Sequence, residues 1–163
     1  MHTTSKSYLS TLRIIYLALV ASMTLFGLVS FFLTVTDSIE VNADADFVLM
    51  MRYILFAVTP AALGVGYFVF KHTLSGAVGL ASLKEKLMKY QIAVLVRSAS
   101  LEIPGLLAAV AALITGELSF LLFTAIIIVL FIMLLPGINT IVQDLNLSRK
   151  ETFILEKPDS ILN

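Results

Sequence analysis

Residues 83–115 read LKEKLMKYQIAVLVRSASLEIPGLLAAVAALIT, and this stretch decides the fold. Its first turns are basic, with Lys84, Lys86 and Lys89 against Glu85. From Gln91 to Thr115 only Arg97 and Glu102 are charged. As one helix the 33 residues measure about 50 Å. A hydrocarbon core is about 30 Å thick, so the apolar part spans it and the basic turns stand outside. Ser82 and Glu85 fit a capping box, which places the helix start at Leu83. Pro104 lacks an N–H and crowds the preceding turn, which predicts a kink.

Three further apolar runs, 14–36, 47–70 and 118–136, have similar lengths, and the long run occupies 91–115. Backbone groups in lipid must bond within their own segment, so all four read as helices, and period-2 alternation is absent. The reading is all-α: an integral membrane four-helix bundle over 1–136, then an amphipathic tail over 137–163. Apolar residues make up 59% of the 163, charged residues 13%, and the mean hydropathy is +0.99. So little polar surface excludes a soluble enzyme, a nucleic-acid-binding domain and a disordered chain. With no Cys there is no disulfide or thiolate chemistry. Lys6 and Arg13 precede the first run as in a signal peptide. The run is too long for one, however, and it ends in Thr34-Val35-Thr36-Asp37 without a cleavage pattern. It reads as a retained first helix.

The linkers set the expected orientation. Asp37, Glu40, Asp44 and Asp46 crowd the first, with no Lys or Arg. The second, 71–90, holds Lys71, Lys84, Lys86 and Lys89, and the tail holds Arg149, Lys150 and Lys157. Positive charge marks the cytoplasmic side, so both termini are expected there, in a bacterial inner membrane. In the tail, Ile138, Ile141, Val142 and Leu145 follow helical spacing after Pro136-Gly137, and Ser148–Glu151 repeats the capping box. That tail reads either as lying on the bilayer surface or as a docking helix for a partner, and its first helix is expected to start within a few residues of Pro136 and to lie against the membrane or the bundle.

The candidate intramembrane polar site is Glu102 with Arg97 and Ser98. A charge at mid-bilayer costs about 2.5–3.5 kcal/mol and usually has a partner. Ser98, Glu102, Gly105, Ala109 and Ala112 share one helix stripe, and small residues there admit a neighbouring backbone. Glu102 is expected in a helix–helix contact. One reading makes it a carboxyl that fixes helix register through Ser98 or Arg97; the other makes it a proton- or cation-exchanging group. Arg97 alternatively snorkels toward the cytoplasmic face. Arg52, near the outer end of its span, is expected to reach Glu117 as an outer-face charge pair or else the acidic linker. Pro60, Gly64 and Gly66, with Ala57/Ala61 and Ala62/Gly66, suit helix packing. The fourth run, nearly free of small or polar residues, suits a lipid-facing position. Asp44-Ala45-Asp46 lacks the glycine and distal Glu of a calcium loop, and Asn146-Leu147-Ser148 lies on the expected cytoplasmic side, where it is no glycosylation site.

No catalytic motif occurs, and no His or Asp falls within a run, so neither an enzyme nor a cofactor or metal is expected. At a shift of 78 positions, Ala21-Ser22-Met23-Thr24-Leu25-Phe26-Gly27-Leu28 matches Ala99-Ser100-Leu101-Glu102-Ile103-Pro104-Gly105-Leu106 at four of eight positions. The match reads as a parallel duplication of a two-helix unit or as chance similarity of apolar sequence. A mid-membrane Glu102 followed by small residues, in such a duplicated unit, resembles the rotary-ATPase proteolipid (subunit c) over 99–115. That resemblance implies an ion-carrying role for Glu102. The first run departs from it by lacking a glycine-rich face, and Glu102 stands on the first helix of its pair, not the second. The Arg97-x4-Glu102-x-Pro104-Gly105 helix with the Pro136…Asp144-Leu145 tail resembles small uncharacterised four-helix bacterial membrane proteins. The expected partners are the lipid bilayer and either further copies of the chain or a larger membrane complex, with no nucleic acid.

Overall fold

The chain is described here by a computed structural model covering residues 4–36, 38, 41, 43–160 and 162. Most of those residues are helical, with no β-strand among them. The helices are α1 (Ser5–Val35), α2 (Ala45–Val78), α3 (Leu83–Thr115), α4 (Leu121–Met133), α5 (Ile138–Asp144) and α6 (Arg149–Glu156), with a 3-10 turn at Leu118–Phe120 before α4. Three of them, α1 to α3, are long and apolar enough to cross a membrane. The segment Leu118–Met133 reaches that standard only together with Ile138–Asp144, to which it is bent by 80°. Large apolar side chains stay exposed on every long helix, among them Ile14, Phe32, Phe56, Phe68, Ile103 and Met133. Water would penalise such a surface heavily, and lipid does not. The chain is built as a membrane protein.

The expected spans mark the apolar part of each helix and not its length. α1 begins at Ser5, nine residues before the first run, because Thr4 caps the Ser7 amide and Tyr8 and Leu12 are buried. α2 continues past Phe70 to Val78, so Lys71 is helical and the turn between α2 and α3 is short. Lys89 Nζ then bonds Gly76 O across the two helix ends at 3.1 Å. The start of α3 falls at Leu83 as expected, and the helix runs on through Pro104. Its capping box is not formed: the Ser82 side chain bonds no amide. Burial of Leu83 and Leu87 holds that first turn instead. At the other end Gly116 adopts φ 71°, the left-handed conformation that closes a helix and that glycine takes without strain. Asp37 and Glu40 of the acidic linker lie outside the described residues.

α3 is the hub. α1, α2 and α4 all pack on it, while α1 and α2 have no comparable contact with each other. Half of the α3 span is buried, against 17% for those of α1 and α2. Ser98, Gly105, Ala109 and Ala112 are buried as their stripe predicts. Gly105 is the tightest point: a Cβ there would overlap Met23 Sδ of α1 and lie 3.2 Å from Ile127 of α4. Gly66 of α2 plays the same part against Ser100, where a Cβ would come within 2.9 Å, whereas Ala57 and Ala61 are exposed. Lipid tails are as apolar as the helices, so close packing and interhelical hydrogen bonds must supply the association. Thr124 Oγ1 donates to Gly105 O, Tyr16 Oη to Phe131 O and Tyr8 Oη to Leu87 O, at 2.9, 2.9 and 2.8 Å. α4 is therefore not lipid-facing all round. Phe120, Thr124, Ile127 and Phe131 are buried at helical spacing, and the opposite face, Leu122, Ile126, Val129 and Met133, is exposed. The two matching octets lie side by side, with α1 and α3 running parallel: Ser22 bonds Glu102 and Met23 meets Gly105.

The tail folds back on the chain itself. Ile141, Leu145, Leu155 and Leu162 share a core with Tyr8, Leu12, Leu83, Leu87 and Tyr90. Ser5 Oγ donates to Ile154 O at 2.9 Å, and the Ser5 and Lys6 amides bond Ser160 O and Pro158 O. The capping box at Ser148 and Glu151 is complete in both directions. Glu151 also takes a 2.7 Å salt bridge from Lys86 of α3, the only ion pair among the described residues. Of the places expected for the apolar stripe, the chain's own bundle takes most of it: Ile141 and Leu145 are buried against the helix ends.

Candidate functional site

Glu102 does not bond Arg97 or Ser98. Ser98 Oγ donates back to Val94 O one turn earlier, at 2.8 Å, and is fully buried. Such a back-bond satisfies a hydroxyl within its own helix and frees it from needing a partner. Glu102 is half-buried, at the seam between α3 and α1, and its neighbour Ile103 is exposed. Its Oε1 accepts from Ser22 Oγ at 3.1 Å, and Ser22 itself is exposed. The same hydroxyl lies 2.8 Å from Leu19 O. A hydroxyl has one hydrogen, so it divides that hydrogen between two acceptors and satisfies neither fully. Near the middle of the apolar part of α3, the chain thus leaves a polar pair open on the outer surface of the α1–α3 seam.

Arg97 faces another way, into the gap between α2 and α4. Its guanidinium lies over the Phe70 ring, 4.1 Å from the centroid. Nη2 donates to Leu134 O at 3.2 Å. Leu134 is the C-cap of α4, and Pro136 two residues on has no N–H to offer, so Arg97 supplies a donor to the broken helix end. Nε of Arg97 is buried and has no hydrogen-bond partner among the described residues. Arg52 and Glu117 make no ion pair; the Arg52 guanidinium sits 6.0 Å from the Phe120 ring centroid. An aromatic face attracts a cation at that range, which offers Arg52 an alternative to the carboxylate.

Sequence reasoning had no means of pairing Ser22 with Glu102, although both stand in the matching octets. It also passed over Phe70, Lys71 and Asp144, which gather around Arg97 at the gap. Asp144 belongs to the tail stripe's polar side, and only the fold brings it under α2. No group of three or more His, Asp or Glu side chains able to hold a metal occurs among the described residues. Comparisons with family models, with curated proteins and with solved structures give no match.

Proposed function

We propose that the chain is a non-catalytic accessory membrane protein that packs with another copy of itself or with a partner's helix through the α1–α3 seam. The observation that carries this reading is the half-exposed Glu102 with the exposed Ser22 beside it at mid-span depth. An isolated carboxyl facing lipid is costly, and a helix from a second molecule relieves that cost by supplying donors. In this reading 118–136 gives a fourth crossing, and α5 lies beyond it in the tail. The protein sits in a bacterial inner membrane with both termini cytoplasmic, where Lys84, Lys86, Lys89, Arg149 and Lys150 collect.

The chain has no cysteine, so engineered ones report cleanly. Ala21 and Ala99 are exposed and flank the pair. Single cysteines there are expected to cross-link in native membranes, and Glu102→Leu is expected to abolish the cross-link. A particle that stays monomeric in mild detergent, with no cross-link at either site, defeats packing with another copy, and a photo-cross-linker at Ala21 or Ala99 that captures no other protein in native membranes defeats packing with a partner. A second reading rests on the same exposure: Glu102 as a proton- or cation-carrying group. It requires ion flux in reconstituted vesicles that Glu102→Gln abolishes.

A further inference from the structure

The gap between α2, α3 and the α4–α5 bend is a cavity of about 420 Å³. Its walls are Ala62, Leu63 and Gly66 of α2, Leu101 of α3 and Leu134, all small or aliphatic. Its polar end is formed by Lys71, Arg97 and Asp144. Tyr67 and Lys71 on its rim are exposed. From Lys71 to Ala62 the α2 wall descends about 13 Å toward the middle of the membrane. An apolar trough with a charged end is the shape of a lipid, one chain below and a headgroup above.

The hydrogen-bond inventory specifies which headgroup. Arg97 Nε is a buried donor without a partner. Lys71 adds a second donor group, its Nζ resting 5.9 Å from the Tyr67 ring centroid. Two cationic donors at one end call for an anionic acceptor. Phosphate suits Arg97 because its fork geometry matches oxyanions. Lys71 and Arg97 against Asp144 leave one positive charge, which a single phosphodiester balances. An ethanolamine headgroup would add a cation and restore the excess. A hydroxylated, uncharged headgroup would instead donate to Asp144.

We infer that this cavity binds one anionic phosphoglycerolipid of the phosphatidylglycerol class, with its phosphate on Arg97 and Lys71 and a chain along Ala62 and Gly66. The inference needs only the membrane setting and is independent of the role given to Glu102. It is tested by native mass spectrometry of the full chain in mild detergent, titrated with phosphatidylglycerol, phosphatidylethanolamine or glycerol phosphate. Phosphatidylglycerol is expected to be retained about fivefold more than phosphatidylethanolamine, the discrimination expected of one basic contact. Glycerol phosphate, lacking the chains, is expected not to bind. Arg97→Gln and Lys71→Gln are each expected to lower phosphatidylglycerol retention about fivefold. Lys84→Gln, exposed and away from the cavity, is expected to leave it unchanged. Should Arg97→Gln fail to fold, Lys71→Gln decides, because Lys71 is an exposed rim residue. Equal retention of the two lipids, binding of glycerol phosphate as strong as that of the lipid, or wild-type retention in Lys71→Gln overturns the inference.

Discussion

Replacing Glu102 with leucine separates a carboxyl that holds this chain together from one that faces outward. Among the described residues, the only side-chain hydrogen bond to be lost is the 3.1 Å bond from Ser22. An ordinary hydrogen bond contributes about 1 kcal/mol net. Ser22 is not orphaned, because its hydroxyl keeps Leu19 O at 2.8 Å. No buried cation is left behind either: Arg97 is occupied by Leu134 O and the Phe70 face. Had Glu102 been buried against Arg97, its removal would cost about 3–5 kcal/mol. The expected change in the isolated chain is therefore at most about 1 kcal/mol, a shift of a few degrees in the melting temperature. Thermal unfolding followed by circular dichroism in detergent reads it. Ser22→Ala should cost no more, and the double variant should show a coupling of about 1 kcal/mol or less. A loss of 3 kcal/mol or more in Glu102→Leu would show an internal partner for the carboxyl and refute the geometry argued here.

Other substitutions probe the packing, the tail and the orientation. Gly105→Leu drives a side chain into Met23 and Ile127 and is expected to cost about 3 kcal/mol or more, with partial rescue by Met23→Ala, in the same melting assay. Burial pushes the Glu151 carboxyl up, but hydrogen bonds from Lys86 and from the Ser148 side chain and amide, with the Lys86 charge, outweigh it and leave the pKa below its ordinary value. A depressed carboxylate stabilises the fold above about pH 4.5 and loses that contribution as the pH falls through the native value. Exchange of the 149–156 amides, corrected for intrinsic rate, should accordingly accelerate in acid. At neutral pH Glu151→Gln should speed it by about tenfold, and unchanged exchange in both would count against the docked tail. Single cysteines at Ser38 and Ser75 should label from opposite sides of the membrane, and labelling of both from the periplasm would sink the proposed orientation.

Much of the helical layout could be read from local signals, because hydropathy, caps and breakers act over a few residues. Gly116 closes α3 where the Gly turn places it and Ser148–Glu151 opens α6 as its spacing requires, while α3 starts at the expected Leu83 without a cap bond from Ser82. Hydropathy was blind to the polar ends of α1 and α2, since Ser5, Tyr8, Lys71 and Leu74 are helical for reasons of packing and capping, not of lipid solubility. α4 misled in the opposite direction. A face of Ile and Phe is equally soluble in lipid and in a protein core, so composition cannot say which side is buried. The partners of the intramembrane charges were hidden because they are long-range. Ser22 lies 80 residues from Glu102, and Leu134 lies 37 from Arg97.

The break after α4 links several of these features. A helix that ends inside or near the membrane leaves carbonyls without donors, and lipid supplies none. Pro136 makes the shortage worse by removing an N–H from the next turn. The chain answers with Arg97, whose Nη2 reaches the Leu134 carbonyl from α3. That answer holds a cation within the span, and Phe70 relieves part of its desolvation through its ring face. It also fixes the guanidinium in the gap that the bend opens between α2 and α4. The 80° turn carries α5 across the end of that gap, which brings Asp144 to the same cavity as Lys71 and Arg97. α6 then anchors α5 by the Lys86–Glu151 bridge and by Leu155 in the core. The tail is thus the roof of the cavity as well as a cap on the helix ends. Undocking it through Glu151 should lower lipid retention at Arg97 even though Glu151 touches no part of the cavity. Glu151→Gln with wild-type phosphatidylglycerol retention and fast exchange over 149–156 would show that the roof is dispensable.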